Sequence, residues 1–395
     1  MMSASAWIFS DAATPQYLTT APLAGWSLEP GEALVRLLCS AVCGSDVHTA
    51  KGVRVDPAAP LVLGHEGIGR IIASARDDAR VGECVTWSLA TAQCSPPQTC
   101  FSCASAGLPQ KCARVFKYGH APWARGDAPS PRATAEGLSG CYASHVLLRA
   151  GTAVVAVDTA ISEGVPFGAL ATANCAAATA VAAWRTAQRH ALASSRRAAT
   201  IAAPRPRVII FGAGLLGLYA AAAAKRDSAF VCVVDVIQTR LDTARAFGAD
   251  TTALTARGST VDDIVNAVKA AAGSDFDIAI EVCGLPDVLP PALRLLRPGG
   301  VISLVGMVHP ASALSATTGE AIIRKCATLV GIHNYEPDDL DEAVALIRSL
   351  HGKLPAETWS SLFSPPFDLD RVPDAIALAA TGAWTRVLVN GSESK

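Results

Sequence analysis

Charged residues fill only 17% of the 395 positions, and 33 basic residues against 34 acidic ones leave a formal net charge of -1. A chain with no basic excess carries no electrostatic footprint for a polyanion, so nucleic acid is not an expected partner. Aromatic residues are also few, at 6%, yet 51% of the chain is hydrophobic. That apolar content buries large cores and excludes intrinsic disorder. The sequence has no internal repeats and no low-complexity segment. Its opening stretch, MMSASAWIFSDAATPQ, lacks a basic segment followed by an apolar one, so no export signal is expected. Long apolar runs are missing too. The most apolar uncharged run, Val208 to Ala224, is near the short limit for a membrane span and is interrupted by Gly212, Gly214 and Gly217. The expectation is a cytoplasmic protein with no membrane partner.

Cysteine, by contrast, is plentiful. Twelve in one chain read either as six disulfides or as metal ligands. The disulfide reading belongs to small secreted domains, and this chain, at about 100–200 residues per domain, has the length of two domains. Clustered thiols in a reducing compartment point to metal.

The organisation changes along the chain. Residues 30–90 read as strands separated by Gly, Pro and Asp clusters. Residues 91–135 are rich in Cys, Pro and Gly and read as one long functional loop. Cys141–Leu148 and Ala153–Val157 return to strand character, and Gly168–Trp184 is Ala-rich and helix-prone. His190–Arg207 has no clear apolar face and reads as a surface connection. Strand signals then alternate with helix signals. The strands are Val208–Phe211, Phe230–Val234, Asp277–Val282, Val301–Val305 and Thr328–Ile332, with helices around Arg240–Phe247 and Val288–Leu296. Such alternation predicts a doubly wound parallel sheet. Helices near Asp339–Leu350 and Ile376–Ala380 and a strand at Arg386–Val389 complete the chain.

Gly212-Ala-Gly214-Leu215-Leu216-Gly217 matches G-x-G-x-x-G between a strand and a helix. Gly212 permits the tight turn, Gly214 lets backbone approach a pyrophosphate, and Gly217 lets helix and strand pack closely. The helix that opens with Leu215 and Leu216 then faces the phosphates. Asp235 ends the second strand, 23 positions after Gly212. An acid there bonds the adenosine ribose hydroxyls and repels a 2′-phosphate, so NAD is expected over NADP. Nearby Arg240 weakens that preference slightly.

Cys94, Cys100, Cys103 and Cys112 lie close enough in sequence to close a tetrahedral structural zinc site; a zinc-free loop with free thiols is the alternative. Cys43 and His65 offer one soft and one borderline zinc ligand. Cys175, where the β-rich part hands over to the dinucleotide part, is the best third ligand for a catalytic zinc that keeps a vacancy. The other six, Cys39, Cys84, Cys141, Cys232, Cys283 and Cys326, read mostly as buried small hydrophobes.

Together, Cys43-Gly-Ser45-Asp46-Val-His48, Gly64-His65-Glu66, the four-cysteine loop, Asn174-Cys175, Gly212 to Gly217, Asp235 and the Leu296–Gly300 segment resemble the zinc-containing medium-chain alcohol dehydrogenases. The resemblance implies an α/β chain: a distorted, GroES-like β-barrel catalytic domain over 1–170 with its zinc lobe at 91–120, a Rossmann NAD domain over 171–337, and a return to the catalytic domain over 338–395. It implies catalytic zinc on Cys43, His65 and Cys175, with Glu66 as an alternate ligand and Asp46 fixing a ligand histidine. Ser45 and His48 would relay a proton. Homodimers or homotetramers are usual in the family. The lobe departs from the family's C-x2-C-x2-C-x7-C: its spacings are x5, x2 and x8, which touches Cys94 most.

The expected reaction is hydride transfer between an alcohol and its aldehyde or ketone on one side and NAD(H) on the other, with zinc polarising the substrate oxygen. The same ligands serve a second reading, net non-redox chemistry by a lyase, epimerase or cyclase. A third is a non-catalytic zinc and dinucleotide binder. Short sets around Lys51, Arg54, Lys117, His120 and Gly331–Tyr335 look like a subgroup linked to phosphonate metabolism, and such a cationic cluster would suit an anionic substrate; ordinary solvated surface charges are the favoured alternative.

Overall fold

The computed structural model describes residues 3–10, 15–22, 25, 27–53, 56–94, 98–123, 131–194, 205–308, 312–314 and 316–391. Contacts divide the chain into two units. The first comprises residues 1–175, 336–351 and 355–395, the second residues 176–335 and 352–354.

The first unit is built on antiparallel strands. Its central strand, Ala33–Val42, is apolar on both faces, and only Arg36 is fully exposed along it. Such a strand needs partners on each side. Glu66–Ser74 pairs with it on one edge, and His145–Leu148 and Val387–Asn390 pair along the other. Cys84–Trp87 and Val154–Ala156 extend the sheet beyond Glu66–Ser74. A three-stranded sheet of Gln16–Pro22, Ser3–Phe9 and Leu61–Val62 is stitched to it by a bridge between Ala6 and Ala143. Strand register decides which side chains share an end of the sheet. Ala41 lies opposite Glu66, and Val387 lies opposite Val42. The residues just beyond, Cys43 and Arg386, are thereby carried to the same end of the sheet as Glu66.

The second unit is a six-stranded parallel sheet. Its spatial order is Thr251–Leu254, Phe230–Asp235, Arg207–Phe211, Phe276–Glu281, Leu296–Leu304, Thr328–Gly331. In chain order that is 3-2-1-4-5-6, the doubly wound arrangement of dinucleotide-binding sheets. Helices Leu215–Arg226, Gln238–Ala246, Val261–Ala272 and Leu289–Leu295 connect the strands. The most membrane-like stretch of the sequence is the strand, glycine turn and helix at the heart of this sheet. Among the described residues no helix is long and apolar enough to cross a membrane.

Several local expectations need correction. The helix Ala178–Ser194 runs through His190 and into the segment expected to be a connection; alanine carries the helix on and no breaker intervenes. Residues 195–204 of that segment lie outside the described residues. The long loop contains short elements, Phe101–Ala104, Pro109–Lys111, Phe116–Lys117 and Pro131–Gly137. The helix expected around Val288–Leu296 stops at Leu295, and Leu296 opens the strand Leu296–Leu304. Of the six remaining cysteines, Cys39, Cys84, Cys141 and Cys232 are buried, as expected of most, and Cys283 and Cys326 are exposed. The edges of the described sheet are Thr251–Leu254 and Thr328–Gly331.

Candidate active site

Cys43 ends the central strand's run and starts the short helix Gly44–Ala50. The Asp46 carboxylate accepts the Cys43 backbone N–H at 3.0 Å, fixing the cysteine at the turn. His65 and Glu66 open the neighbouring strand. Cys175 lies within a single wide π-turn, Ala173–Ala177. The Asn174 side chain donates to the His65 carbonyl at 3.0 Å and so ties this turn to the His65 strand. As a result, one ligand atom from each of Cys43, His65, Glu66 and Cys175 lies within 4.8 Å of all the others.

The surroundings decide how these groups are charged. The Cys175 thiol donates to Cys43 and pulls the Cys43 thiol well below its ordinary range, while donation and burial hold Cys175 well above it. Burial works against a charged His65, but Asp46 and the Cys43 thiolate outweigh it and raise His65. Burial pushes Glu66 up to about 7, against the pull of the Arg386 guanidinium, which lies 3.1 Å away. Asp46 is fully buried. Its Oδ2 accepts the Tyr142 hydroxyl at 2.9 Å, and its Oδ1 faces His65 Nδ1 at 3.3 Å without hydrogen-bond alignment.

This environment fits zinc. Two thiols, an imidazole and a carboxylate converge, and Nδ1 of His65 turned toward Asp46 leaves Nε2 as the ligand atom. Ser45, half-buried, and His48, exposed, sit three residues apart on the helix that Cys43 starts, hence on one face.

The four lobe cysteines form a second cluster, with ligand atoms again within 4.8 Å of one another. Cys94 joins it despite its longer spacing: its Sγ is 3.9 Å from that of Cys100, which is 3.9 Å from that of Cys112. Backbone N–H groups of Ala113 and Arg114 point at Cys100 and Cys112. The Ala113 amide, with Cys103, lowers the Cys100 thiol to about 6. Four converging thiols with amides aimed at their sulfurs fit a closed tetrahedral zinc site.

In the second unit, Gly212 has φ of 111° and turns the chain out of its strand. A Cβ on Gly217 would fall on the Gly212 carbonyl oxygen, so only glycine lets the helix pack there. A Cβ on Gly214 would meet nothing within 4 Å. Gly214 therefore borders open space at the start of Leu215–Arg226, whose first turn has no side-chain cap. A pyrophosphate fits that cradle. Asp235 stands beside it. Its Oδ2 accepts the Ala213 N–H at 2.7 Å, and its Oδ1 accepts those of Val236 and Ile237. Arg240, half-buried, lies on the following helix, Gln238–Ala246.

Sequence reasoning missed Arg386, Tyr142 and Asp56. Nothing local marks them, because strand register and packing alone bring them in. The Asp56 carboxylate holds His120 Nδ1 at 2.7 Å, and the His120 ring stacks on His65 with centroids 5.6 Å apart. Of the other cationic residues singled out, Lys51 is exposed, Lys117 is half-buried and Arg54 lies outside the described residues.

A thiol-rich metal site in an antiparallel β unit, joined in one chain to a 3-2-1-4-5-6 sheet with a glycine turn, defines a zinc-dependent dinucleotide oxidoreductase. Residues 29–159 match the alcohol dehydrogenase GroES-like domain, and residues 216–349 match the zinc-binding dehydrogenase domain. The chain belongs to the zinc-containing medium-chain alcohol dehydrogenase family. It is similar to a sorbitol dehydrogenase of Bombyx mori, 24% identical over 373 residues and 91% of each chain. An L-threonine 3-dehydrogenase of Protochlamydia amoebophila is 26% identical over 319 residues and 77% of each. Among solved structures, an alcohol dehydrogenase from Thermotoga maritima superposes with a TM-score of 0.81 at 26% identity, covering 99% of this chain and 100% of the other. These relatives support the redox reading and lend none to the lyase, epimerase or cyclase alternative.

Proposed function

We propose that this chain oxidises a small neutral secondary alcohol or polyol with NAD, or reduces the corresponding carbonyl. In this reading Cys43, His65 and Cys175 hold the catalytic zinc, Glu66 is an alternate ligand, and Cys94, Cys100, Cys103 and Cys112 hold the structural one. The observation that carries it is the convergence of Cys43, His65, Glu66 and Cys175 within 4.8 Å, in the same chain as the glycine turn. When bound, zinc supplies Lewis acidity and NAD the hydride acceptor.

The protein's own groups do the rest. Asp46, held by Tyr142 and the Cys43 amide, orients the His65 ring. Ser45 Oγ takes the alcohol proton and passes it to His48, which is exposed and releases it to water. Gly212, Gly214, Leu215, Leu216 and Gly217 seat the pyrophosphate. Asp235 bonds the adenosine ribose and disfavours NADP, and Arg240 lies close by. A neutral substrate is favoured over an anionic one because the Asp56 carboxylate already faces His120 and the Glu66 carboxylate already faces Arg386. The Bombyx and Protochlamydia relatives act on sorbitol and threonine, which are hydroxyl-bearing and small. A homodimer or homotetramer in the cytoplasm completes the reading.

The test is a screen of polyols, simple alcohols, threonine-like amino alcohols and hydroxyalkyl phosphonates, followed by NADH absorbance with NAD and with NADP. Cys43→Ser should abolish turnover while the far-ultraviolet circular dichroism stays unchanged. Full activity of a metal-stripped Cys43→Ser protein would sink the reading, and a preference for phosphonates would replace the neutral substrate with an anionic one.

A further inference from the structure

The second unit holds a buried carboxylate that neither zinc chemistry nor ribose binding uses. Glu281 ends the strand Phe276–Glu281, next to Arg207–Phe211 in the middle of the sheet, and is 2% exposed. It sits at the carboxyl end of its strand, the end at which open parallel sheets bind ligands.

Its two oxygens serve two different turns. Oε1 accepts the Gly284 N–H at 2.5 Å, in the turn after its own strand. Oε2 accepts the Gly306 N–H at 3.0 Å, in the turn after the neighbouring strand Leu296–Leu304. The turns touch: a Cβ on Gly306 would stand 2.5 Å from the Gly284 nitrogen and 2.9 Å from Glu281 Oε1. The first turn also supports the glycine motif. Cys283 Cβ lies 3.1 Å from where a Cβ on Gly212 would be, and the Val282 side chain lies 3.3 Å from such positions on both Gly212 and Gly217.

We propose that Glu281 is a positioning residue for the dinucleotide, pinning the 282–284 and 305–306 turns together so that the Gly212–Gly217 cradle is already formed when the cofactor arrives. The proposal rests on the dinucleotide reading of that cradle. Glu281 needs to touch no reacting atom. The Gly306 N–H is shared with the Glu281 backbone carbonyl at 3.1 Å, and a carboxylate suits the task because it offers one oxygen to each turn and bonds to a charged acceptor are the stronger kind. Glutamine has the same size but offers one acceptor. Its amide would set an NH2 against the second N–H.

The test uses the full-length, zinc-loaded chain and its Glu281→Gln variant. NADH binding is titrated by fluorescence, and hydrogen exchange is followed in peptides covering both turns. Glu281→Gln should keep its zinc content and its kcat at saturating NAD. The Kd for NADH should rise about tenfold, the scale of one lost charge-assisted bond, and both turns should exchange faster without cofactor. A variant that binds NADH as the parent does, with unchanged exchange, overturns the proposal, because a merely space-filling side chain predicts that result. Failure of the parent itself to bind NADH overturns the dinucleotide reading instead. Should Glu281→Gln not fold, Gly306→Ala keeps the carboxylate and wedges the turns apart. It should raise the Kd similarly, and an unchanged Kd there is equally fatal.

Discussion

Arg386 brings a guanidinium into the first unit next to a carboxyl that is completely buried. Desolvation and attraction pull Glu66 in opposite directions, and desolvation is the larger. The result is a carboxyl poised near neutrality beside two thiols. A different buried group weakens the fold toward acid pH. Burial, helped by the Arg36 charge, holds His145 down to about 4. The unfolded chain takes up that proton near pH 6.5, so between about 6.5 and 4 the unfolded state binds more protons and stability rises with pH. The contribution is complete above about 6.5 and is lost as pH falls toward 4, an effect of about 3 kcal/mol at most. His145→Gln should flatten the acid side of the urea-stability profile across this window; an unchanged slope would mean that His145 is not the group responsible.

At the scale of elements, the four-cysteine lobe shows how little regular structure it takes to gather four thiols. One helical turn, Phe101–Ala104, and a 3-10 turn, Pro109–Lys111, suffice to gather its thiols. Cys94→Ser should reduce zinc from about two ions per chain to about one and lower the melting temperature, while some activity remains. Retention of the full zinc content would show that three thiolates and water are enough. The lobe also marks where sequence reasoning succeeds and where it thins. Cys100-x-x-Cys103 is legible by spacing. Cys94 is the doubtful member, because distance along a loop says little about distance in space. The glycine turn and Asp235 are legible because strand, turn, helix and acid have a fixed order. The helix Val261–Ala272 escapes the pattern of strand and helix signals, although Thr260 and Asp263 form a readable capping box. Thr251–Leu254 is a short strand at the sheet's edge, where hydrophobic alternation is weakest.

Across the whole molecule, the labour is divided between the two units. Both candidate metal clusters lie in the first, and the glycine cradle with Glu281 and Asp235 lies in the second. A strong chelator should therefore remove zinc and alcohol oxidation together, yet leave NADH binding, followed by fluorescence, within about twofold of the untreated protein. Loss of NADH affinity in step with zinc would show that the metal sites support the second unit. The parts of the site that reading the sequence could not supply also belong to this scale. Arg386 enters because the final strand, Val387–Asn390, pairs with Ala33–Val42 across most of the chain's length. No local pattern announces such a pairing.

The wide turn at Ala173–Ala177 has a consequence for how this chain tolerates change. Each residue of an α-helix advances the face by about 100°. A π-turn is in effect one residue too many, absorbed without unwinding the helix. Deleting Ala173 or Asn174 would restore a tidier α-helical turn and swing Cys175 by about 100° relative to Phe167–Ala171, away from Cys43 and His65. The turn works as a reading-frame marker written in backbone geometry, so the chain is far less forgiving of length changes here than of substitutions.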